Sequence, residues 1–469
     1  MLDVTYINSV SQVSPRITTP LSPRIMENIL SRDKDLNVIY DNSYLVSRLF
    51  YAECIKQGIP VSRPEDSKEI YDLFFPNLID SIKTEYVLST IGSSGDLYFV
   101  THLLNAGKKV IIGGPLTKIY NCQQLRKMLS NYTDKLNNLI IVRPYLGLTT
   151  SIYKIILDWK DLEDDVEFIH TNIFETNNDY LLNYIDKLNS INKISGVQTL
   201  LNTRCSWGKC TFCTYQNQFK EDFTKSMDID NYIKSTIQLC KKYNARIVDI
   251  ADPIILFTKN NIRILKAFKE AGLFIIGFSN VTFMLNEKYL NNIMKYIGMV
   301  RIGVETFDDF GLKQLDKGYT YNDILKLISL LVKYKKEYNM TCGILLHLML
   351  NLPSYDKESI IVNYNNIVKA SLELYDANIP LHLRTGDLFV SPYVSLIENN
   401  EFIKSDQKSG DTLFHTYKRY DYKGNELPVD EDIVHPDIYK FVTNQLKNQP
   451  KFYNYTFDEY KKKYNIKDY

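Results

Sequence analysis

Three cysteines inside nine residues are the part of this 469-residue chain best suited to chemistry: Cys205, Cys210 and Cys213 in the run Arg204-Cys205-Ser206-Trp207-Gly208-Lys209-Cys210-Thr211-Phe212-Cys213. Cysteine thiolates are soft ligands, and a C-x4-C-x2-C loop can wrap a metal centre without help from elsewhere. No fourth Cys or His stands nearby. A structural zinc takes four protein ligands in a closed site, whereas an iron-sulfur cubane on three cysteines keeps one iron open to bind and polarise a substrate. The spacing therefore points to a cluster. Two blander readings stand beside it: three thiols that are merely buried, or a zinc completed by a remote His.

The elements around the loop say how it must be held. GVQTLLN precedes it, and after it come helix 228–243, RIVDIAD, helix 261–271, LFIIGFS, helix 287–297, MVRIGVE, helix 321–338, GILLHLML, helix 357–374 and LHLR. Six strand signals alternating with five helices predict a (β/α)6 parallel barrel, three quarters of a full (β/α)8 barrel, whose site lies at the C-terminal strand ends. The cysteines follow its first strand. Upstream, YVLSTIGSSGDLYFVTHLLNAGKKVIIGGP reads strand, Gly/Ser turn, amphipathic helix, strand; NLIIVRP at 138–144 and VEFIH at 166–170 add two more strands. The fold class is thus α/β, with an N-terminal Rossmann-like parallel sheet, the partial TIM-type barrel and a C-terminal helical extension. The expected divisions are a mixed segment over 1–80, the sheet domain over 81–176, a polar helical connector over 177–194, the barrel over 195–394, and a charged, Tyr-rich extension over 395–469 with helix signals near 436–447 and 456–465.

Composition narrows the function. Lys and Arg total 56 against 55 Asp and Glu, so no chain-wide field attracts nucleic acid or an anionic membrane. No run of ~18 apolar residues offers a membrane span and no basic-then-apolar leader opens the chain, so a soluble cytoplasmic protein is expected. Seven cysteines, four of them scattered, are no disulfide framework and fit a reducing compartment. The 35 tyrosines are spread through most of the chain and carry little functional information.

The cysteine loop resembles that of radical S-adenosylmethionine (radical SAM) enzymes. These place three cysteines after the first strand of a partial TIM barrel, usually as C-x3-C-x2-C with an aromatic before the last, a place that Phe212 fills here. RCSWGKCTFC, one residue longer, looks like a variant among members with an N-terminal cobalamin-binding-like domain. MVRIGVETFDDFGLKQLDKGYTYNDILKLI is similar over some thirty residues to the family's fourth-strand segment, and LMLNLPSYDKES at 348–359 to its fifth-strand ending, with Ser354-Tyr355 in place of Gly-Glu.

The resemblance implies a 4Fe-4S cluster on Cys205, Cys210 and Cys213, and S-adenosylmethionine bound at the open iron and cleaved reductively to a 5′-deoxyadenosyl radical. Glu305, at the fourth strand's end, is placed to accept hydrogen bonds from the ribose hydroxyls or ammonium of that cofactor. Asp252, in VDIADPIIL, stands where members carry an acidic segment facing the cofactor's amino group, although Asp before Pro is also an ordinary turn pair. Ser279 or Asn280 after strand three and Arg384 after strand six are further candidates, Arg384 for a carboxylate; a rim position alone would equally account for each. His347, on an apolar strand, reads as an interior residue.

Gly92, Ser93, Gly113 and Gly114 sit at strand ends like those of the cobalamin-binding-like domain, where glycine lets a cofactor approach the backbone. The Asp-x-His-x-x-Gly loop is absent and His102 falls in a predicted helix, which leaves open whether the domain holds cobalamin or serves as scaffold. The implied activity is radical chemistry on a peptide or other natural-product substrate, fed by a low-potential electron donor such as flavodoxin or ferredoxin. Cobalamin-dependent C-methylation is the leading outcome, against epimerisation or rearrangement without cobalamin. A tRNA-modifying enzyme is weakened by the neutral charge, and a zinc-stabilised interaction protein is the non-enzymatic alternative.

Overall fold

The computed structural model describes residues 1–7, 18–19, 30, 33–41, 68–92, 94–114, 116–117, 120–145, 152–159, 166–169, 196–202, 205, 207–213, 223–225, 227–349, 352, 355–386, 403–405 and 417–419. Two parallel sheets dominate. The first contains β1 (Leu2–Ile7), β3 (Leu36–Asp41), β4 (Tyr86–Thr90), β5 (Lys109–Gly113), β6 (Leu139–Tyr145) and β7 (Val166–Ile169) in the order β3-β1-β4-β5-β6-β7. Its central strands β4, β5 and β6 carry short apolar runs, because helices cover a parallel sheet on both faces. The helices are α1 (Lys68–Ser81), α2 (Ser94–Asn105), α3 (Cys122–Leu129) and α4 (Ile152–Leu157). Phe75, Phe99, Leu103 and Leu125 fill one side of the sheet, and Val4, Tyr6, Ile152 and Ile155 the other.

The second sheet joins β2 (Thr18–Thr19), β8 (Gly196–Thr199), β9 (Ile247–Ile250), β10 (Phe274–Ser279), β11 (Met299–Glu305), β12 (Gly343–Met349) and β13 (Leu381–Gly386) in the order β13-β12-β11-β10-β9-β8-β2, every pair parallel. The six expected barrel strands are present, and α5 (Ile229–Lys242), α6 (Lys259–Glu270), α8 (Glu287–Tyr296), α10 (Tyr321–Tyr338) and α11 (Lys357–Asp376) stand in the five expected helix places. Short helices α7 (Val281–Met284) and α9 (Asp309–Gln314) precede α8 and α10. Each long helix starts where its sequence dictates. Asp228, Thr258, Asn286, Thr320 and Asp356 accept from the amide three residues on, satisfying a donor that the helix leaves free. In α5 the buried residues Ile229, Tyr232, Ser235, Thr236, Leu239 and Cys240 repeat with helical spacing and face the strands.

One feature differs from expectation. The described strands of the first eighty residues are built into the two sheets: β1 and β3 belong to the first sheet, and β2 pairs with β8 at the edge of the second, Thr18 opposite Gly196. Six-residue strands such as LDVTYI mix polar and apolar positions and pair with partners far along the chain, so local periodicity shows them poorly. The described part of the C-terminal extension is an antiparallel pair, β14 (Ile403–Ser405) with β15 (Tyr417–Arg419). The expected helices near 436–447 and 456–465, and the connector over 177–194, lie outside the described residues. No helix among the described residues is long and apolar enough to cross a membrane.

Candidate functional site

The cysteine loop is held from two sides. On the strand side, Ala251 N–H donates to Thr199 O at 2.7 Å. The fully buried Asp252 carboxylate accepts from Leu201 N–H at 2.7 Å, Asn202 N–H at 3.1 Å and the Asn202 side-chain amide. Several donors converging on one buried carboxylate stabilise its charge and fix the backbone leaving β8. Asp252 therefore faces the chain that leads into the cysteines.

On the other side the loop docks on the turn after α9. Thr211 N–H donates to Leu315 O at 3.1 Å, Thr211 Oγ1 to Gln314 O at 3.0 Å, and Trp207 Nε1 to Asp316 O at 2.6 Å. The Trp207 ring lies on Gly318, whose φ of +71° and whose lack of a Cβ are both needed, since a Cβ there would overlap the indole. The four residues between Cys205 and Cys210 thus provide a tryptophan that reaches this turn. A backbone hydrogen bond from Cys213 N–H to Cys210 O at 3.0 Å closes the loop's end. None of the three is in a disulfide, and all are half-buried.

Beside the loop lies a buried ion pair that the sequence reading missed. Lys317 Nζ stands 3.2 Å from Glu305 Oε1, with both side chains buried. The ammonium lies 5.5 Å from the Phe212 ring centroid, a cation–π distance. Burial by itself would lower the Lys317 pKa; Tyr319, Glu305 and Cys210 act the other way and hold it above its ordinary value. Burial raises the Tyr319 phenol above its ordinary value. Burial pushes the Cys210 thiol up to about 11, while the Lys317 charge pulls it down. Glu305 closes β11 with φ +72°, next to a break in register against β12 between Gly303 and Glu305. A non-glycine residue in the left-handed region stores strain, and such strain collects at functional sites.

The remaining predicted residues are scattered around the same strand ends. Phe212 is half-buried against the barrel's hydrophobic core. Ser279, at the end of β10, donates to Tyr289 OH at 3.1 Å, which donates in turn to Ile255 O at 2.9 Å. Tyr289 also lines a surface pocket with Phe257, Phe283 and Asn286, outside the cysteine loop. Asn280 accepts from Phe283 N–H and caps α7. Arg384 is paired in register with His347 on β12. Asp249 and Arg301, on β9 and β11, form a buried bidentate ion pair at 2.8 and 3.3 Å, and the guanidinium lies 4.8 Å from the Phe278 ring, against which His347 stacks. Opposite charges in the middle of two apolar strands were the available signal for that pair. Among the described residues no three His, Cys, Asp or Glu side chains are grouped for a single ion.

In the first sheet, strand order reverses between β1 and β4, the place where a doubly wound sheet opens its cofactor crevice. Gly92 and Gly113 stand at or just beyond the ends of β4 and β5. Tyr6 OH and Thr90 Oγ1 join β1 to β4 at 3.0 Å. Gly92 N–H donates to the buried Asp96 carboxylate at 2.7 Å, so this loop binds itself. Gly114, with φ +110°, is required by the chain: a Cβ would lie 2.8 Å from Thr90 Cγ2 and 3.0 Å from Ile91 O. At Gly113 the nearest atom to a Cβ would be Val142 O at 3.7 Å, ordinary contact. Ser93 lies outside the described residues. His102 sits in the last turn of α2, 3.3 Å from Asp72 and far from these strand ends.

Residues 200–357, from the end of β8 to the start of α11, match the radical SAM superfamily. No curated protein matches the chain in sequence. Among solved structures, the radical S-adenosylmethionine methyltransferase TsrM from Kitasatospora setae, with cobalamin and a [4Fe-4S] cluster bound, superposes with a TM-score of 0.57 at 10% identity, over 91% of this chain and 87% of that one. The same enzyme with tryptophan substrate and a SAM analogue gives 0.58 at 11% identity, over 91% and 85%. The cobalamin-dependent S-adenosylmethionine radical enzyme OxsB, with aqua-cobalamin bound, gives 0.58 at 12% identity, over 90% of this chain and 65% of that one. At such identities the likeness is one of fold, and it spans both sheets. Residues 200–357 thus carry a radical SAM domain, and the two-sheet fold around it is like that of these cobalamin-dependent radical SAM enzymes.

Proposed function

We propose that the chain holds a [4Fe-4S] cluster on Cys205, Cys210 and Cys213 and uses S-adenosylmethionine to start radical chemistry on a small-molecule or peptide substrate, with cobalamin-dependent C-methylation as the favoured reaction. The observation that carries this is the docked three-cysteine loop at the head of the barrel. Three half-buried thiols from one loop suit a cluster with an open iron. Held by Cys205, Cys210 and Cys213, a cluster would supply the one electron that splits the sulfonium of S-adenosylmethionine into methionine and a 5′-deoxyadenosyl radical.

The chain's own residues do the rest. Asp252 and the turn after α9 fix the loop; Glu305 offers a carboxylate to the ribose or ammonium of the cofactor; Phe212 shields one side of the cysteines. Arg384 is assigned to the cofactor's carboxylate. Ser279, tied to Tyr289, braces the rim. Domain divisions at 177, 195 and 395 are part of this proposal, as are a low-potential donor of the flavodoxin or ferredoxin class and a cytoplasmic setting.

Methylation is favoured because the likeness to cobalamin-dependent enzymes covers nine tenths of the chain and the crevice between β1 and β4 stands where such a cofactor would approach. The self-bonded Gly92 loop and the lack of an Asp-x-His-x-x-Gly motif favour the second reading, epimerisation or rearrangement on a cobalamin-free scaffold. Anaerobic reconstitution tests the first claim: about four irons per chain and 5′-deoxyadenosine release, both lost in Cys205→Ala, Cys210→Ala and Cys213→Ala. Colourless protein carrying a single zinc would overturn it. Retention of added cobalamin through gel filtration separates the two outcomes.

A further inference from the structure

The reaction leaves unused the buried charge of Lys317. The residue lies between α9 and α10, in the turn on which the cysteine loop docks, and its backbone N–H donates to Leu312 O at 3.0 Å. Its side chain is 7% exposed, and its ammonium meets Glu305 at 3.2 Å, the Phe212 ring at 5.5 Å and the Tyr319 ring at 5.8 Å. Burying a lysine so completely carries a heavy desolvation cost, and an apolar side chain would pack there without it. The turn is also built to keep the residue in place, because Trp207 clamps Asp316 on one side of it and covers Gly318 on the other.

The pair is not electrically neutral as seen from the cysteines. The ammonium reaches the ring of Phe212, which stands between Cys210 and Cys213 in the loop, so the pair is a dipole that presents its positive end to the loop. Reduction adds one negative charge to a cluster seated there. In a low-dielectric surround a fixed cation nearby stabilises that added charge, and local charge is among the main determinants of iron-sulfur potentials.

We propose that Lys317, anchored by Glu305, raises the reduction potential of the cluster on Cys205, Cys210 and Cys213, easing entry of the electron from a low-potential one-electron donor. This rests on the cluster reading above. It is tested by redox titration of the reconstituted full chain under anaerobic conditions, following the reduced cluster by electron paramagnetic resonance. At fixed ambient potential, Lys317→Met and Lys317→Gln are expected to lower the reduced-to-oxidised ratio at least tenfold, equivalent to 59 mV for a one-electron couple. Lys317→Arg, which keeps the charge, should stay within about threefold of wild type by the same relation.

A Met or Gln variant with a full complement of iron and an unchanged ratio would overturn the proposal. So would failure of both to take up iron while the Arg variant does, since Lys317 would then serve to hold the loop. Wild-type protein without a cluster would refute the underlying reading instead, and that is seen before any variant is compared.

Discussion

Replacing Gly318 by alanine tests whether the Trp207 clamp holds the cysteine loop. Two costs add at this position. With φ at +71° an alanine pays roughly 1–2 kcal/mol for the left-handed conformation. Its Cβ also overlaps the indole, so Trp207 must leave, losing the hydrogen bond to Asp316 O, about 1 kcal/mol net, and packing of a half-buried ring worth about another 1 kcal/mol. Gly107 provides the control: its φ is +81°, but a Cβ there meets nothing within 4 Å, so Gly107→Ala pays only the backbone cost. The difference, about 2 kcal/mol, shifts the docked-to-undocked ratio of the loop roughly thirtyfold. The chain has two tryptophans, and a Trp159→Phe background leaves Trp207 as the sole reporter. In it, Gly318→Ala should red-shift the emission and reduce iron uptake, while Gly107→Ala changes neither. Emission and iron content unchanged in Gly318→Ala would refute the clamp.

Other substitutions probe the remaining supports. Asp252→Ala strands the amides of Leu201 and Asn202 in a buried place and should cost about 2–5 kcal/mol, seen as an earlier denaturation midpoint with poorer iron uptake. Asp249→Ala leaves Arg301 buried without its carboxylate and should cost about 3–5 kcal/mol in denaturant titrations, whereas the double change Asp249→Leu with Arg301→Met should recover most of it. Glu305→Gln should weaken S-adenosylmethionine binding about tenfold or more by calorimetry, the loss of a charged hydrogen bond.

The barrel was legible because each helix announces itself locally. Periodic apolar faces and caps such as Thr320 with Asp323 are written within a few residues of where they act, and helix ends expected at 338 and 243 fall at Tyr338 and Lys242. The cysteine spacing is equally local. What escaped depends on distant pairing. Nothing near Thr18 shows that it will lie against Gly196, and nothing near Lys317 shows that its ammonium will be buried between Glu305 and Phe212. The Lys-Gly dipeptide was visible in its segment, but its place beside the loop follows from the α9 turn folding back on Thr211 and Trp207. Gly114 is the converse case. As a sequence signal it suggested room for a cofactor, yet the backbone it approaches is its own.

The docking of the loop bears on how the cluster and the fold depend on each other. In small zinc domains the metal is the core, and the apo chain unfolds. Here three hydrogen bonds tie the loop to the α9 turn and Asp252 holds its root. The conformational cost of ordering the loop is therefore offset by protein contacts before any metal arrives. Chelating the iron from reconstituted protein should thus leave the Trp207 emission, in the Trp159→Phe background, where it was, and circular dichroism unchanged. Reloading should restore the full iron content without a slow refolding phase. A large emission shift on iron removal would show that the cluster, and not the turn after α9, shapes the loop.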